Sequence, residues 1–342
     1  MPTVVGHWQD SLEHEHILAA QPIYLSRYAA PGEKTVRFTR YMRPDVWSHV
    51  LNEARVFGPG FAVADNKLYY KGMSHSDCAP LLREVVKCYS TIPDGGYVND
   101  EARLLWGHHA FLPDMPSNWG HFIWTYLMRL AFEKPALPLL VSDKAPDRFL
   151  DWARRLGFQE FITGCDGTVA RRLHVNCTLA RRYDDADQTA GVLSAAAYAL
   201  RHRLGVGLPR NPRSKLYVSR KHASWRTVVN EGELIDALKP RGFEVITPEI
   251  MTVGEQLDII GRAGQIVMPI GGASPITMFA PEDCKVVELG FERIVGVYAS
   301  AIWADVLGQP YVRINGATGE KRGPLDIDYD YKIDVERVLE QL

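Results

Sequence analysis

The sequence has no Cys-x-x-Cys pair. Its five cysteines, Cys78, Cys88, Cys165, Cys177 and Cys284, are odd in number and scattered along 342 residues. That pattern excludes a zinc cage and predicts thiols kept reduced in a cytoplasmic protein. A bias of charge is missing too: 39 basic residues against 41 acidic leave a net charge of −2, which excludes a protein that coats nucleic acid. The opening stretch, MPTVVGHWQDSLEHEHI, lacks the basic start and apolar run of a secretion signal. No Gly-x-Gly-x-x-Gly opens a helix after a strand, no Gly-x4-Gly-Lys-Ser/Thr loop occurs, and there is no serine nucleophile elbow. Dinucleotide redox chemistry, P-loop phosphoryl chemistry and serine hydrolysis therefore have no fingerprint here. His14–His16 and His108–His109 lack partners at metal-ligand spacing. The segment between Arg262 and Glu282 holds no charge, but Pro269, Gly271, Gly272 and Pro275 interrupt it. A strand, a glycine turn and a short helix explain it better than a membrane span.

What is present is a large apolar fraction, 46% of the residues, enough for two domains of roughly 150 residues each. From residue 215 on, short apolar runs alternate with helical patterns. KLYVSR, FEVITP, QIVMPI, CKVVELG and PYVRIN read as strands. Between them NEGELIDALKPRGF starts on Asn230 with Glu233 three residues on, and TVGEQLDIIGRAG starts on Thr252 with Glu255 three residues on, stopping at Gly264. Both spacings are those of a capping box. ASPITMFAP and VGVYASAIWADVLG complete the alternation. Continuous apolar strands joined by helices predict a parallel, Rossmann-like sheet that binds ligands at the carboxyl ends of its strands.

The N-terminal part is β-rich at its front. FGPGFAVADNKLYYKG (57–72) predicts a hairpin turning at Asp65-Asn66, and α/β patterns follow, ending in a long helix from about Gln188 to Leu204. GVGLPRNPRS (205–214) is the best linker. The expected architecture is α/β: two Rossmann-like domains facing a cleft, one over residues 1–208 behind the β-rich front and one over 209–342. DIDYDYKID (326–334) reads as a solvated tail segment, and the last residues as a short helix.

Three stretches can carry chemistry. In SNWGHFIWTYLMRL (117–130), Ser117 or Asn118 is a good helix cap, and Phe122, Tyr126, Leu127 and Leu130 form one stripe. His121 falls in the first turn, where the helix dipole disfavours imidazolium. It is either a packed, hydrogen-bonded ring or a neutral base at the lip of a cleft. From Pro209 to Arg226 the chain holds Arg210, Arg213, Lys215, Arg220, Lys221 and Arg226 and no acid. The run is either a solvated loop or a cationic rim for a pyrophosphate, since a guanidinium pairs bidentately with phosphate oxygens. Gly271 and Gly272, with Ala273 and Ser274 opening the next helix, let backbone approach an anion at the same sheet edge. Glu288, near the end of the following strand, is either an ordinary carboxylate or a ribose contact. Asp184–Asp187 (DDAD) has a metal-diphosphate spacing, but carboxylates just ahead of a helix also suit its dipole.

Two stretches together resemble the family 61 glycosyltransferases. NWGHFIWTYLMRL is similar to that family's Asn-x-x-His-aromatic helix start. Over residues 215–290, Arg220, Arg226, Asn230, Glu231, Gly242, Phe243, Glu255, Gln256, Pro269 and Gly271 follow the family's order. The resemblance implies a two-domain transferase with a nucleotide-sugar donor on the C-terminal domain. It also implies inversion at the anomeric carbon and no obligatory metal or other cofactor. In the same terms, Arg220, Arg226 and residues 271–274 would hold the donor diphosphate, with Ser274 on phosphate and Glu288 on ribose. Asn230 and Glu255 would belong to the substrate site, Asn118 would face the donor, and His121 would be the general base. The acceptor would be a saccharide or lipid-linked saccharide, met in the cytoplasm at the inner face of the membrane, in surface polysaccharide or glycolipid assembly of the capsular type. The chain departs from the family at Ile270, where His is common, at Ile276, where Asn is common, and at Thr125, where many members carry an acid. These departures motivate the alternative expectation, a non-catalytic carbohydrate-binding or scaffold relative.

Overall fold

The computed structural model describes residues 3–5, 14–18, 21–23, 27–28, 36–37, 41–43, 46–57, 61–64, 67–69, 97–104, 119–123, 127–133, 135–141, 145–162, 168–176, 196–208, 213–294, 299–325 and 327–342. The chain is mixed α/β and divides into two compact units, residues 1–22 with 42–200 and residues 23–41 with 201–342.

The first unit carries a nine-stranded mixed sheet. Its front is antiparallel: Val46–Phe57 pairs with Phe61–Ala64, which pairs with Lys67–Tyr69, leaving residues 65 and 66 between Ala64 and Lys67 as the hairpin pattern predicts. Its back is parallel. Leu139–Leu140 and Phe161–Ile162 are neighbours joined through the helix Asp147–Arg155. That helix buries Phe149, Leu150, Trp152 and Ala153 on one side. Phe122 stacks on Phe149 with the rings 4.3 Å apart, and Trp119 is tilted against Phe149 at 5.8 Å and against Trp152 at 5.1 Å. Within the stretch expected as one helix over 117–130, the described residues form a short helical turn, Trp119–His121, and a 3-10 turn, Leu127–Leu130, while residues 117, 118 and 124–126 lie outside the described residues. Phe122, Ile123, Leu127, Met128 and Leu130 are all buried. The helix placed at 188–204 is present over 196–204; Asp184–Asp187 lie outside the described residues.

The second unit is built on a six-stranded sheet. Its strands are β1 (Ser214–Val218), β2 (Phe243–Ile246), β3 (Ala263–Pro269), β4 (Lys285–Phe291), β5 (Tyr311–Lys321) and β6 (Tyr329–Lys332). The order across the sheet is β2-β1-β3-β4-β5-β6. The first five are parallel, and β6 runs antiparallel to β5. Helices α1 (Glu231–Leu238), α2 (Val253–Gly261), α3 (Ala299–Leu307) and α4 (Val335–Leu339) connect or follow them. Leu216, Tyr217 and Val218, then Ile266, Val267 and Met268, are fully buried in succession. Neighbouring strand residues point to opposite faces, so the sheet is covered on both. The chain steps from β1 outward to β2, then back across β1 to β3. Right-handed crossovers taken in opposite directions put α1 and α2 on opposite faces.

Three expectations are corrected here. Gly264 does not stop α2: the helix ends at Gly261, and β3 has begun by Ala263. The 230–243 helix is shorter, α1 passing into a 3-10 turn at Lys239–Arg241 that closes on Gly242 in the left-handed region, φ 82°. Residues 326–334 are not a solvated tail. They contain β6, with Asp328, Asp330 and Tyr331 buried.

Candidate functional site

In a doubly wound sheet the strand order reverses at one place, and the loops leaving the two strands there diverge to leave a crevice. Here the reversal lies between β1 and β3. The turn leaving β1, residues 219–228, carries Arg220 and Arg226. The turn leaving β3, residues 270–274, carries Gly271 and Gly272.

The two turns touch. A Cβ added at Gly271 would land inside the Arg220 guanidinium, so only glycine lets this side chain lie where it does. Arg220 is 8% exposed. Its Nη2 donates to the Trp225 carbonyl at 3.2 Å, while its Nε has no hydrogen-bond partner. Burial, and after it the charge of Arg226, pull Arg220 down to about 10. It is thus still cationic at neutral pH, but held there at a cost that an incoming anion would offset.

The rest of the turn is fastened by carboxylates. Glu231 Oε1 accepts from the Tyr217 hydroxyl at 2.9 Å, the Ser219 hydroxyl at 3.0 Å and the Arg220 backbone N–H at 3.2 Å. Burial first, then the Glu231 charge, push the Tyr217 phenol up, keeping it a neutral donor. Arg226 sits in the left-handed region, φ 59°, and its Nε lies 3.5 Å from Asp328 Oδ1. The Thr227 N–H donates to Asp330 Oδ1 at 2.9 Å.

Not all of the basic run belongs here. Arg213 stands at the other end of β1, with the whole five-residue strand between it and Arg220. It forms a fork with Asp283 at 2.7 and 3.0 Å. Lys215 is exposed, donates to the Arg241 carbonyl and lies over the Phe243 ring. The cationic rim therefore narrows to Arg220 and Arg226, with exposed Lys221 beside them. Arg210 lies outside the described residues.

Residues 119–287 match the family model described as Glycosyltransferase 61. The chain belongs to that family. No curated protein matches it. That family implies a glycosyltransferase, with a sugar donor and a sugar acceptor as its partners. The matched segment takes in the helix start at Trp119 and both turns of the second unit.

Four further candidates in this family 61 glycosyltransferase serve the scaffold. Asn230 shows no side-chain cap bond to α1. Its amide donates to the Ile333 carbonyl at 2.9 Å and to Glu233, and its Oδ1 accepts from the Ile333 N–H at 3.0 Å. Glu255 closes the capping box with Thr252 as its spacing predicts, accepting from the Thr252 N–H at 2.7 Å and from its hydroxyl at 2.8 Å. Those two hydrogen bonds from Thr252 hold its carboxyl below the ordinary range. Ser274 and Glu288 are 1% and 0% exposed. Ser274 Oγ accepts from the Gly271 N–H at 3.1 Å and donates to Glu288 at 3.2 Å. Glu288 also accepts from the Ser300 and Tyr311 hydroxyls, at 2.6 and 2.8 Å. Buried this way, the pair supports the glycine turn instead of lining it; Ala273 is likewise buried, and Gly271 and Gly272 are half-buried. In the first unit the His121 backbone lies in the turn Trp119–His121, while its side chain, Asn118 and Thr125 lie outside the described residues.

Sequence reasoning missed Glu231 as a structural hub, and it missed Asp328, Asp330 and Tyr331. The signal for the last three was the alternation Ile327, Tyr329, Tyr331, Ile333, a period-two strand pattern hidden among acids.

Proposed function

We propose that this glycosyltransferase takes a nucleotide-sugar donor whose diphosphate lies between Arg220, Arg226 and the 271–274 turn. The supporting observation is the buried Arg220 guanidinium against Gly271, its Nε without a partner, at the point where the strand order reverses. Two guanidiniums can neutralise the charge that develops on a departing diphosphate, which is the role a divalent cation otherwise fills. The reading is accordingly a metal-independent transfer. In it the chain is a two-domain transferase divided near residue 208. His121 would serve as general base, giving inversion at the anomeric carbon. The setting would be surface polysaccharide or glycolipid assembly at the cytoplasmic face of the membrane.

Thermal unfolding with inorganic pyrophosphate and with a panel of nucleotide sugars tests the site. A ligand that binds only the folded chain adds about 2.7 kcal/mol at roughly 100 times its Kd. Arg220→Ala should abolish that shift, and a shift that survives the substitution removes Arg220 from the site. His121→Ala should lower turnover about 100- to 10,000-fold with donor affinity kept; unchanged turnover makes His121 a packing residue. One observation favours a second reading, a non-catalytic relative. Ile270 and Ile276, at positions where the family commonly has His and Asn, are both buried in the core. Slow donor hydrolysis without acceptor would exclude it.

A further inference from the structure

The arginine turn does not hold itself. From Thr227 to Asn230 it is tied to one partner, the segment Asp330–Ile333. The Thr227 N–H reaches Asp330, the Tyr331 N–H donates to the Thr227 carbonyl at 3.0 Å, the Val229 N–H donates to the Tyr331 carbonyl at 2.8 Å, and Asn230 brackets Ile333. Just ahead of this ladder stands Asp328, 0% exposed. Its Oδ1 faces Arg226 Nε at 3.5 Å, and its Oδ2 accepts from the Leu325 N–H at 3.0 Å. The hairpin loop closes tightly on this carboxylate: a Cβ at Gly323 would lie 2.5 Å from Oδ2.

Resting on the diphosphate reading above, we propose that Asp328 is a positioning residue. It turns the Arg226 guanidinium inward beside Arg220, so that two like charges converge on one anion. Two observations carry this. Arg226 adopts a left-handed backbone that a long side chain does not choose by itself, and it does so where the following residue is pinned by Asp330. A fully buried carboxylate also needs a compensating cation, and Arg226 is the ion partner at contact distance. Without this tie, Arg226 would be driven away from Arg220 by repulsion, because its charge already pulls Arg220 down. Asp328 thus acts against that repulsion and keeps the pair together for a ligand carrying two linked phosphoryl groups.

The test titrates inorganic pyrophosphate into the full-length chain. Deleting a nearby negative charge should by itself tighten an anion, whereas deleting a positioning group should weaken it, so the sign of the change separates the two. Asp328→Asn is expected to weaken pyrophosphate about tenfold, and to have no further effect in an Arg226→Ala background. Equal or tighter binding by Asp328→Asn overturns the proposal, as does a full tenfold loss that persists without Arg226. Should Asp328→Asn fail to fold, Asp330→Ala unties Thr227 beside Arg226. It is expected to weaken pyrophosphate about threefold or more, while a lower Tm with unchanged affinity overturns positioning in favour of a scaffold role. If the unmodified chain does not bind pyrophosphate, or Arg220→Ala binds it equally well, the diphosphate reading falls and takes this one with it. If both controls behave and only the Asp328 variant shows no weakening, the positioning role alone is wrong.

Discussion

The arginine turn, 219–228, and the glycine turn, 270–274, leave neighbouring strands of one sheet, yet they are fastened by different chemistry. The first is held by carboxylates, Glu231, Asp328 and Asp330, which act on its hydroxyls, its backbone N–H groups and one guanidinium. The second also rests on a carboxylate, Glu288, but only through hydroxyls and never directly on its backbone. Ser274 bonds the Gly271 N–H from within the turn, and Ser300 and Tyr311 join it on Glu288. A turn that carries cations needs counter-charges placed so that its open side stays positive. A turn whose task is to yield room needs only to be rigid and free of side chains. One turn therefore supplies charge and the other shape, and the site requires both at Gly271.

The sharpest way to break this division is Gly271→Ala. The new methyl would occupy the Arg220 guanidinium's place, so Arg220 must leave. Pyrophosphate affinity should fall about 100-fold, the scale of losing a charge-assisted fork of roughly 3 kcal/mol. Adding Arg220→Ala should then change little. If the alanine variant binds pyrophosphate normally, shape at this position is dispensable and the comparison fails. Glu288→Gln is the next largest. All three hydroxyls donate to Glu288, so an amide would set an N–H₂ against a donor and cost about 1–3 kcal/mol in urea unfolding. Pyrophosphate affinity should change far less than in Gly271→Ala. An equal loss would make Glu288 part of the ligand site after all.

Much of this was legible because short-range chemistry decides it. Five parallel strands followed from continuous apolar runs, and the meeting of Arg220 with Gly271 followed from both lying at carboxyl ends of strands. The hairpin at 61–69 followed from its Asp-Asn turn. The sixth strand was hidden because its carboxylates, read as exposure, are buried against partners about 100 residues away, and no local pattern carries a partner that distant. The basic run misled for the same reason. Arg213 and Arg220 are seven residues apart in sequence but stand at opposite ends of one strand, one answering Asp283 and the other Gly271.

Alkaline pH should separate the two turns by a smaller margin. Tyr217 and Tyr331 flank the arginine turn, and both phenols are pushed up chiefly by burial. For an acid whose folded pKa is raised, the unfolded chain releases the proton first. The stability these groups contribute is complete below the ordinary tyrosine value near 10 and is lost as pH rises above it. Each phenol contributes a slope of about 1.4 kcal/mol per pH unit in that window. Urea unfolding between pH 9.5 and 11 should show Tyr217→Phe flattening the loss by about that amount. An unchanged slope would mean that Tyr217 does not stay neutral in the fold.

The smallest effect comes from two helix starts with the same sequence spacing. Thr252 and Glu255 form a reciprocal cap on α2, whereas Asn230, also three residues ahead of a glutamate, turns its amide to Ile333. Thr252→Ala should cost about 1 kcal/mol of stability, the ordinary value of a lost cap. It should leave pyrophosphate affinity alone, because the cap's bonds run between Thr252 and Glu255. Asn230→Ala should cost about as much by unfolding, through two bonds to backbone instead of a cap. Unlike the threonine variant it should also weaken pyrophosphate a few-fold, since it loosens the ladder that ends one residue after Arg226. Equal stability losses with unequal affinity losses are what distinguish a cap from a tie. If both variants bind pyrophosphate like the unmodified chain, the arginine turn keeps its shape without Ile333, and the fastening must reside in Glu231, Asp328 and Asp330 alone.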